Sequence, residues 1–464
     1  MNRARVSSAL LLGAGWVLAV GACSDPGPRP PPDYGTAETD TIPAFYGRVP
    51  KNVFMISMDT FRKDHLDRYG EVGKTPFLSA VADAGYAFDD HVQCSNWTYA
   101  STSCTLAGRY NEESGMIPQL VSGFEGRYPV GTPFLASYLH DSLGTYGIIA
   151  STNGWLGAEW GNTGGYVESF HPVGSTAWEA YTQGRERLDS AIGRGEDRWM
   201  LHVHLTEPHA SYDPPAEYLK GLEGLEPVPY DLANRDQQYT ARADWPTMTD
   251  EEQALLLQHL NVRYEGELAW MDDQIFQMIA DMDFDGLLDD TLVVFWTDHG
   301  EQFFEHGYQT HAYTLYREEN DALLFLWAKN IVPGAWSGPT SAIDMVPTLL
   351  ALYGVDQPLE VTGYAVGTAP EDRPRFAHTV ARLGVASSIM KGPWKMTFSW
   401  FGVIHLYDLD ADPAEQVDLY DRENPSDEAR ALWAELRPQI EQQAALLPEY
   451  AVAWPPELTD PVSR

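Results

Sequence analysis

From Val53 onwards the chain alternates between short apolar runs with the length of buried strands and amphipathic segments with the periodicity of helices. This alternation is typical of an α/β fold, because parallel strands need a crossover between them, usually a helix. The pattern therefore predicts a central, mostly parallel sheet flanked by helices. Strands are predicted at residues 52–59, 86–92, 147–151, 199–205 and 291–296, and helices at residues 75–84, 134–143, 250–282 and 344–353.

The pattern changes after Arg375. Three short strand-like runs, at residues 387–391, 394–398 and 404–409, precede a helical segment at residues 426–446. Consecutive short strands without intervening helices favour antiparallel pairing. We therefore divide the folded part of the chain into a main domain, residues 48–375, and a C-terminal subdomain, residues 376–464, with a small antiparallel sheet plus a helix.

The N-terminal segment, residues 1–22, has the features of an export signal: Arg3 and Arg5, then an apolar stretch, then small residues before Cys23. It resembles a bacterial lipoprotein signal. The resemblance implies a lipid on Cys23 and an exported protein, held at the outer membrane or periplasmic face by this lipid anchor only. Residues 23–47, rich in proline, would be the tether. The alternative is a plain secretory signal with an incidental cysteine.

The formal net charge of −37 limits the partners of the chain. Nucleic acids and anionic membrane surfaces are bound by clustered Lys and Arg, so nonspecific binding to either is excluded as a main function. An anionic substrate must then be held by a local site.

Acidic residues follow two of the predicted strands. Asp59 ends the first strand, and Asp298-His299 follows the strand at residues 291–296. Ligands bind beyond the carboxyl ends of the strands in open α/β sheets. Carboxylate and imidazole ligands suit one divalent cation such as Ca²⁺, Mg²⁺, Mn²⁺ or Zn²⁺. The sequence therefore predicts a metal site at this edge.

Thr98 lies at the start of a predicted helix. Metal coordination favours the alkoxide of a hydroxyl, and the N–H groups of a helix start attract anions. A hydroxyl in this place can attack phosphorus or sulfur. The alternative is that Thr98 only caps the helix.

Several segments, taken in order, resemble the sulfatase family within the alkaline phosphatase superfamily, which implies the fold of that superfamily. Residues 53–66 resemble the opening strand and loop of that family. Residues 97–110, which end in Leu106-Ala107-Gly108-Arg109-Tyr110, resemble its nucleophile segment. The remaining matches are Glu207-Pro208-His209, the helix around Tyr264-Glu265-Gly266-Glu267 and Asp272, Thr297-Asp298-His299-Gly300-Glu301 and residues 406–413.

The resemblance implies roles for individual residues. Asp59, Asp298 and His299 would bind the metal, and Thr60 stands where many members have a further Asp ligand. Thr98 would be the nucleophile, His209 would contact the transferred group or the leaving oxygen, and His311 would contact the anion. His306 would shape its loop. For a two-metal variant, the further ligands would be His209, Asp213 and His378.

The chain also departs from the family pattern. Sulfatases carry a cysteine, oxidised to formylglycine, at the position of Thr98 and an arginine at that of Thr102. A lysine and a histidine of their anion pocket correspond to Asn153 and Trp155. A formylglycine hydrate expels sulfate with its second hydroxyl, whereas a threonine ester needs attack by water. This difference favours phosphoester or phosphonate ester chemistry over sulfate.

We therefore predict an exported, metal-dependent hydrolase of small or glycan-borne anionic esters (phosphodiesters, phosphonate esters or sulfate esters). One alternative is a transferase that moves a phosphorylated headgroup onto an envelope lipid or glycan. The other is a catalytically silent sulfatase-like binding lipoprotein. Cys94 and Cys104 form a disulfide near Thr98 or remain free and buried.

Overall fold

The computed structural model describes residues 32–70, 72–120, 126–171 and 176–459. The predicted export signal and the lipid-modified Cys23 lie outside the described residues, as does the tether up to residue 31. Among the helices described, none is both long enough and apolar enough to cross a membrane.

The central sheet confirms the predicted fold class. Within the described residues its eight strands run in the order β10-β2-β9-β6-β1-β5-β3-β4, and every pairing is parallel except the two made by β9. A separate two-stranded pair, β7 and β8, follows β6 in the chain. The strands are β1 Asn52–Met58, β2 Tyr86–Val92, β3 Tyr146–Ser151, β4 Glu168–Phe170, β5 Trp199–Leu205, β6 Thr291–Thr297, β7 Gln302–Phe303, β8 Gln309–Thr310, β9 Leu324–Trp327 and β10 Gly334–Ser341.

Helices cover both faces of this sheet, so its central strands are buried on both sides and read as continuous apolar runs. One apolar core joins Phe54 and Ile56 to Leu78, Tyr181 and Tyr264. A second core lies on the opposite face. The helices are α1 Pro76–Ala84, α2 Thr98–Ala107, α3 Leu135–Leu143, α4 Ala177–Gly193, α5 Arg235–Asp244, α6 Asp250–Phe284, α7 Arg317–Asn320 and α8 Met345–Leu352.

The C-terminal region forms the predicted antiparallel sheet and helix. Its strands pair in chain order, β11 Arg375–Ala381, β12 Gly384–Lys391, β13 Trp394–Ser399 and β14 Val403–Asp408. Helix α9, Asp427–Leu446, packs on this sheet, with the ring centroids of Phe398 and Trp433 5.1 Å apart, and α10, Pro456–Thr459, follows. The apolar core of this region also includes Cys94 and Cys104. The small sheet therefore packs against the helix that begins at Thr98.

Of the two alternatives for the cysteines, the structure shows the disulfide. Cys94 and Cys104 are bonded, and their Cα atoms lie 6.7 Å apart. The bond joins the segment between β2 and α2 to the second half of α2. Thr98 therefore lies inside a covalently closed loop.

Candidate metal centre and nucleophile

Two carboxylates meet at the carboxyl edge of the sheet because β1 and β6 are parallel neighbours. Met58 pairs with Thr297, so the next residues, Asp59 and Asp298, lie side by side. Both are fully buried. The structure therefore brings together the two acids that were predicted from separate strand ends.

His299 completes the predicted ligand set. Its Nε2 atom lies 3.4 Å from Asp59 Oδ1 and 3.6 Å from Asp298 Oδ2. Its Nδ1 atom is 2.9 Å from the Gly300 carbonyl oxygen, which accepts a hydrogen bond only from a protonated Nδ1. Burial, followed by the charge of His311, lowers the pKa of His299 to about 3. The imidazole is therefore neutral and directs its Nε2 lone pair at the two carboxylates.

The structure adds a histidine that the sequence analysis missed. Asp59, His204 and Asp298 each offer a ligand atom within 4.8 Å of the others. His204 lies on β5, where it pairs with Ser57 of the neighbouring β1. Its Nδ1 atom is 2.8 Å from Ser57 Oγ, which directs Nε2 towards the carboxylates. The signal in the sequence was the pair His202 and His204 inside an otherwise apolar strand.

These residues fit a divalent cation. Asp59 Oδ1, Asp298 Oδ2 and His204 Nε2 are buried and have no hydrogen-bond partner among the described residues. In the same part of the chain neither carboxylate forms an ion pair with a lysine or an arginine. Burial and the charge of Asp59 raise the pKa of Asp298 well above its ordinary value. A cation bound between these atoms would remove this repulsion.

Thr98 lies beside this group and does not cap its helix. It is the first residue of α2, Trp97 occupies the N-cap position, and no side chain makes a capping hydrogen bond there. Thr98 Oγ1 is 3.4 Å from Asp59 Oδ2 and 3.5 Å from His299 Nε2. The hydroxyl therefore faces the candidate metal ligands.

Asn153 holds both groups in place. Its Nδ2 atom donates to Asp59 Oδ2 at 2.7 Å and to Thr98 Oγ1 at 3.2 Å. The position that resembles the lysine of the sulfatase anion pocket thus carries an uncharged amide donor. Trp155 packs edge-on against Trp97, with ring centroids 5.6 Å apart.

His209 and His311 lie next to this group, His209 partly buried and His311 buried. Their ring centroids are 4.9 Å apart, and the ring of His311 is 4.4 Å from that of His299. His311 Nδ1 is 3.0 Å from Glu301 Oε1, and burial raises the pKa of Glu301 to about 8. Burial, with the charges of His209, Arg382 and Arg235, lowers the pKa of His311. Glu301, which orients His311, was not predicted as a site residue.

Three further residues that the sequence analysis singled out, Thr60, Thr102 and His306, form contacts within the fold. Thr60 has a positive φ of 55°, and its N–H donates to Asp298 Oδ1 at 3.3 Å. The Thr102 hydroxyl donates to the Thr98 carbonyl oxygen of its own helix. His306 stacks on Tyr316 and lies 3.4 Å from Glu318, in keeping with a role in shaping its loop.

The ligands considered for a second metal do not form a site. His378 is buried 3.4 Å from Glu112, and Asp213 is exposed. Within the described residues the only group of three ligand atoms that all lie within 4.8 Å of one another is that of Asp59, His204 and Asp298, and His299 lies beside it, 3.4 Å from Asp59 Oδ1. The arrangement therefore fits one metal.

The sequence is similar to those of known proteins. A family model described as Sulfatase matches residues 51–355. A choline-sulfatase of Rhizobium meliloti is 26% identical over 250 residues, covering 49% of this chain and 47% of the relative. An arylsulfatase of Clostridium perfringens is 24% identical over 286 residues, covering 58% of this chain and 57% of the relative. The chain thus spans about half the length of these curated relatives.

Solved structures show the same fold. A 2-O GAG sulfatase superposes with a TM-score of 0.66 at 15% identity, covering 85% of this chain and 92% of that chain. A phosphonate monoester hydrolase from Silicibacter pomeroyi superposes with a TM-score of 0.64 at 18% identity, covering 88% of this chain and 97% of that chain. At these identities the similarity supports the fold alone.

Proposed function

The chain belongs to the sulfatase family, and we propose that it is a metal-dependent hydrolase that cleaves anionic esters with Thr98 as nucleophile. One observation carries the proposal: Thr98 Oγ1 lies within 3.5 Å of both Asp59 and His299 instead of capping its helix. The relatives include a choline-sulfatase and an arylsulfatase, which supports an ester as the substrate.

Asp59, Asp298 and His299 would hold one divalent cation, with His204 as a further ligand. When bound, the cation would stabilise negative charge on the oxygens of the transferred group and favour ionisation of a neighbouring hydroxyl. Thr98 attacks phosphorus or sulfur, and Asn153 Nδ2 keeps its hydroxyl in place from 3.2 Å. His209, which is only partly buried, donates a proton to the leaving oxygen.

The chemistry of Thr98 favours phosphorus over sulfur. Its single hydroxyl becomes the ester oxygen of the covalent intermediate, so no second hydroxyl on the same carbon can expel the product. Water must attack the intermediate. We propose phosphodiesters or phosphonate esters as the preferred substrates, on a small molecule or a glycan, with sulfate esters as weaker ones.

A substrate panel tests this proposal. Aryl phosphodiesters, phosphonate esters and sulfate esters are assayed with added divalent metals and with a chelator. We expect Thr98→Ala to abolish metal-dependent turnover and Thr98→Ser to keep part of it. Thr105→Ala removes another buried hydroxyl of the same helix, about two turns away, and serves as the matched control.

Unchanged turnover in Thr98→Ala would refute the nucleophile. Turnover that needs an added lipid or glycan acceptor would favour the headgroup transferase. A protein without turnover and without bound metal would favour the silent binding lipoprotein.

We also propose that the protein is exported and held in the cell envelope by a lipid on Cys23. The composition of residues 1–22 supports this proposal. Replacing Cys23 by Ser is expected to move the protein from the membrane fraction to the soluble envelope fraction. An unchanged distribution would contradict lipid anchoring at this cysteine.

A further inference from the structure

Three arginines converge beside the active-site histidines. Arg235 and Arg242 lie on α5, and Arg382 follows β11. Tyr239 is four residues from Arg235 and three from Arg242, so all three share one face of α5. Tyr313, two residues after His311, completes a group that we call the arginine–tyrosine cluster: Arg235, Tyr239, Arg242, Tyr313 and Arg382.

The tyrosine rings hold the three guanidinium groups together. The Arg242 guanidinium lies 4.8 Å from the ring centroid of Tyr239 and 5.3 Å from that of Tyr313. Arg382 lies 5.2 Å from the Tyr313 ring centroid and donates to its hydroxyl at 3.4 Å. Arg235 Nε donates to the Tyr239 hydroxyl at 2.9 Å. The guanidinium groups therefore meet aromatic faces and hydroxyls.

Among the described residues, no carboxylate neutralises this cluster. Asp and Glu number 67 against 30 Lys and Arg, yet none of the three arginines forms an ion pair in the described part of the chain. Arg242 Nη1 is buried and has no hydrogen-bond partner within the described ranges of the chain. Arg185, by contrast, contacts three carboxylates. Three like charges in one place are costly unless an anion joins them.

The positive charge of the cluster also affects its own tyrosine. Burial raises the pKa of Tyr239, but Arg235 and Arg382 outweigh this effect and leave the pKa below its ordinary value. The cluster is open to solvent, since Arg235 and Arg382 are exposed. A ligand can therefore reach it.

The cluster is joined directly to the active site. The backbone N–H of Arg382 donates to the carbonyl oxygen of Ala312 at 3.1 Å. Ala312 lies between His311 and Tyr313 in the chain. A ligand on the cluster would thus lie next to a group bound at His209 and His311.

We propose that the arginine–tyrosine cluster binds a second anionic group of the substrate, so that the preferred ester carries at least two negative groups. The planar guanidinium pairs bidentately with phosphate, sulfate or carboxylate oxygens, which makes any of the three suitable. This inference deepens the proposed function and rests on it for the position of the first anionic group.

A binding series tests the proposal without turnover. Metal-replete Thr98→Ala protein is titrated with ethylphosphonate and with alkane bisphosphonates of increasing chain length, at physiological salt. We expect one range of chain lengths to bind about tenfold or more tighter than ethylphosphonate, because each charge-assisted hydrogen bond adds measurably to affinity. Arg382→Gln and Arg242→Gln, each on the Thr98→Ala background, should lose this gain, and Arg382→Lys should keep part of it.

Arg198→Gln, on the same background, is the matched control. Arg198 also lies over a tyrosine ring, 5.9 Å from the centroid of Tyr353, but it precedes β5 at the opposite edge of the sheet. Equal affinity for all the bisphosphonates and ethylphosphonate, or a gain that survives in both Gln variants, would overturn the proposal. Failure of the proposed nucleophile would appear separately, as turnover that survives in Thr98→Ala.

Discussion

Buried carboxylates are neutralised differently at two kinds of site, the buried ion pairs and the candidate metal centre. In the C-terminal region the Nζ atom of Lys395, on β13, lies 2.8 Å from Glu415 Oε1, and both side chains are fully buried. At the start of α8 in the main domain, Arg373 Nη1 likewise donates to Asp344 Oδ1 at 2.9 Å. The carboxylates of Asp59 and Asp298 are just as buried but face imidazoles and an amide.

The difference separates buried acids that form structural ion pairs from buried acids that could bind a metal ion. A buried carboxylate needs a compensating charge, and a side chain supplies it at Glu415 and Asp344. Among the described residues no lysine or arginine forms an ion pair with Asp59 or Asp298, so a bound divalent cation would supply the compensating charge. A third solution is retention of the proton, and Glu267 on α6 uses it: burial raises its pKa to about 8.

The largest effect is expected from Asp298→Asn. This substitution keeps the shape of the site but removes half of its negative charge, so we expect loss of roughly a thousandfold or more in turnover of the ester panel. In a chelator, the unfolding free energy should not fall, because the variant relieves the repulsion with Asp59. A variant that unfolds more readily than wild type in chelator would show that Asp298 is structural.

The second largest effect is expected from breaking the buried ion pair of Lys395 and Glu415. Lys395→Met leaves Glu415 buried without its partner, and breaking such a pair costs about 3–5 kcal/mol. Denaturant unfolding should show this loss equally with and without metal. A loss that disappears when metal is added would contradict the distinction between the buried ion pairs and the candidate metal centre.

The third largest effect is a pH dependence of folding stability that arises from Glu267. Its folded pKa of about 8 lies above the unfolded value of 4.5, so the folded state keeps a proton that the unfolded state releases. The stability contribution is therefore present below about pH 4.5 and is lost as the pH rises to about 8. Glu267→Gln can still accept the Asp213 N–H and does not titrate. We expect the variant to gain stability relative to wild type between pH 5 and pH 8, by up to a few kcal/mol.

A difference between variant and wild type that stays constant with pH would contradict the third effect. Both proteins are measured in chelator, so that metal binding does not contribute to the pH dependence.

The smallest effect concerns His204. If its Nε2 atom joins the ligands, His204→Gln should weaken metal binding about tenfold to a hundredfold, as loss of groups around a metal typically does. Calorimetric titration with the metal measures this change. His202→Gln is the control, because His202 contacts the same Ser57 hydroxyl from 2.8 Å but is not among the potential ligands. Equal affinities in the two variants would remove His204 from the ligand set.

Features that follow from the order of motifs along the chain could be predicted from the sequence. Asp59 and Asp298-His299 follow apolar strands, and the motifs around them come in the family order, so the parallel sheet and three candidate ligands could be inferred. His204 could not, because it lies inside a strand, and only the register that pairs it with Ser57 brings it to the site. The arginine–tyrosine cluster was missed for the same reason, since α5 and the turn after β11 meet only in the folded chain.

The most direct test of this account is the metal content of the purified protein. Elemental analysis should find close to one divalent ion per chain in wild type and far less in Asp298→Asn, while Lys395→Met, where it folds, should keep the ion. Wild-type protein that folds and binds no divalent ion at near-stoichiometric level, even after incubation with Ca²⁺, Mg²⁺, Mn²⁺ and Zn²⁺, would contradict the account.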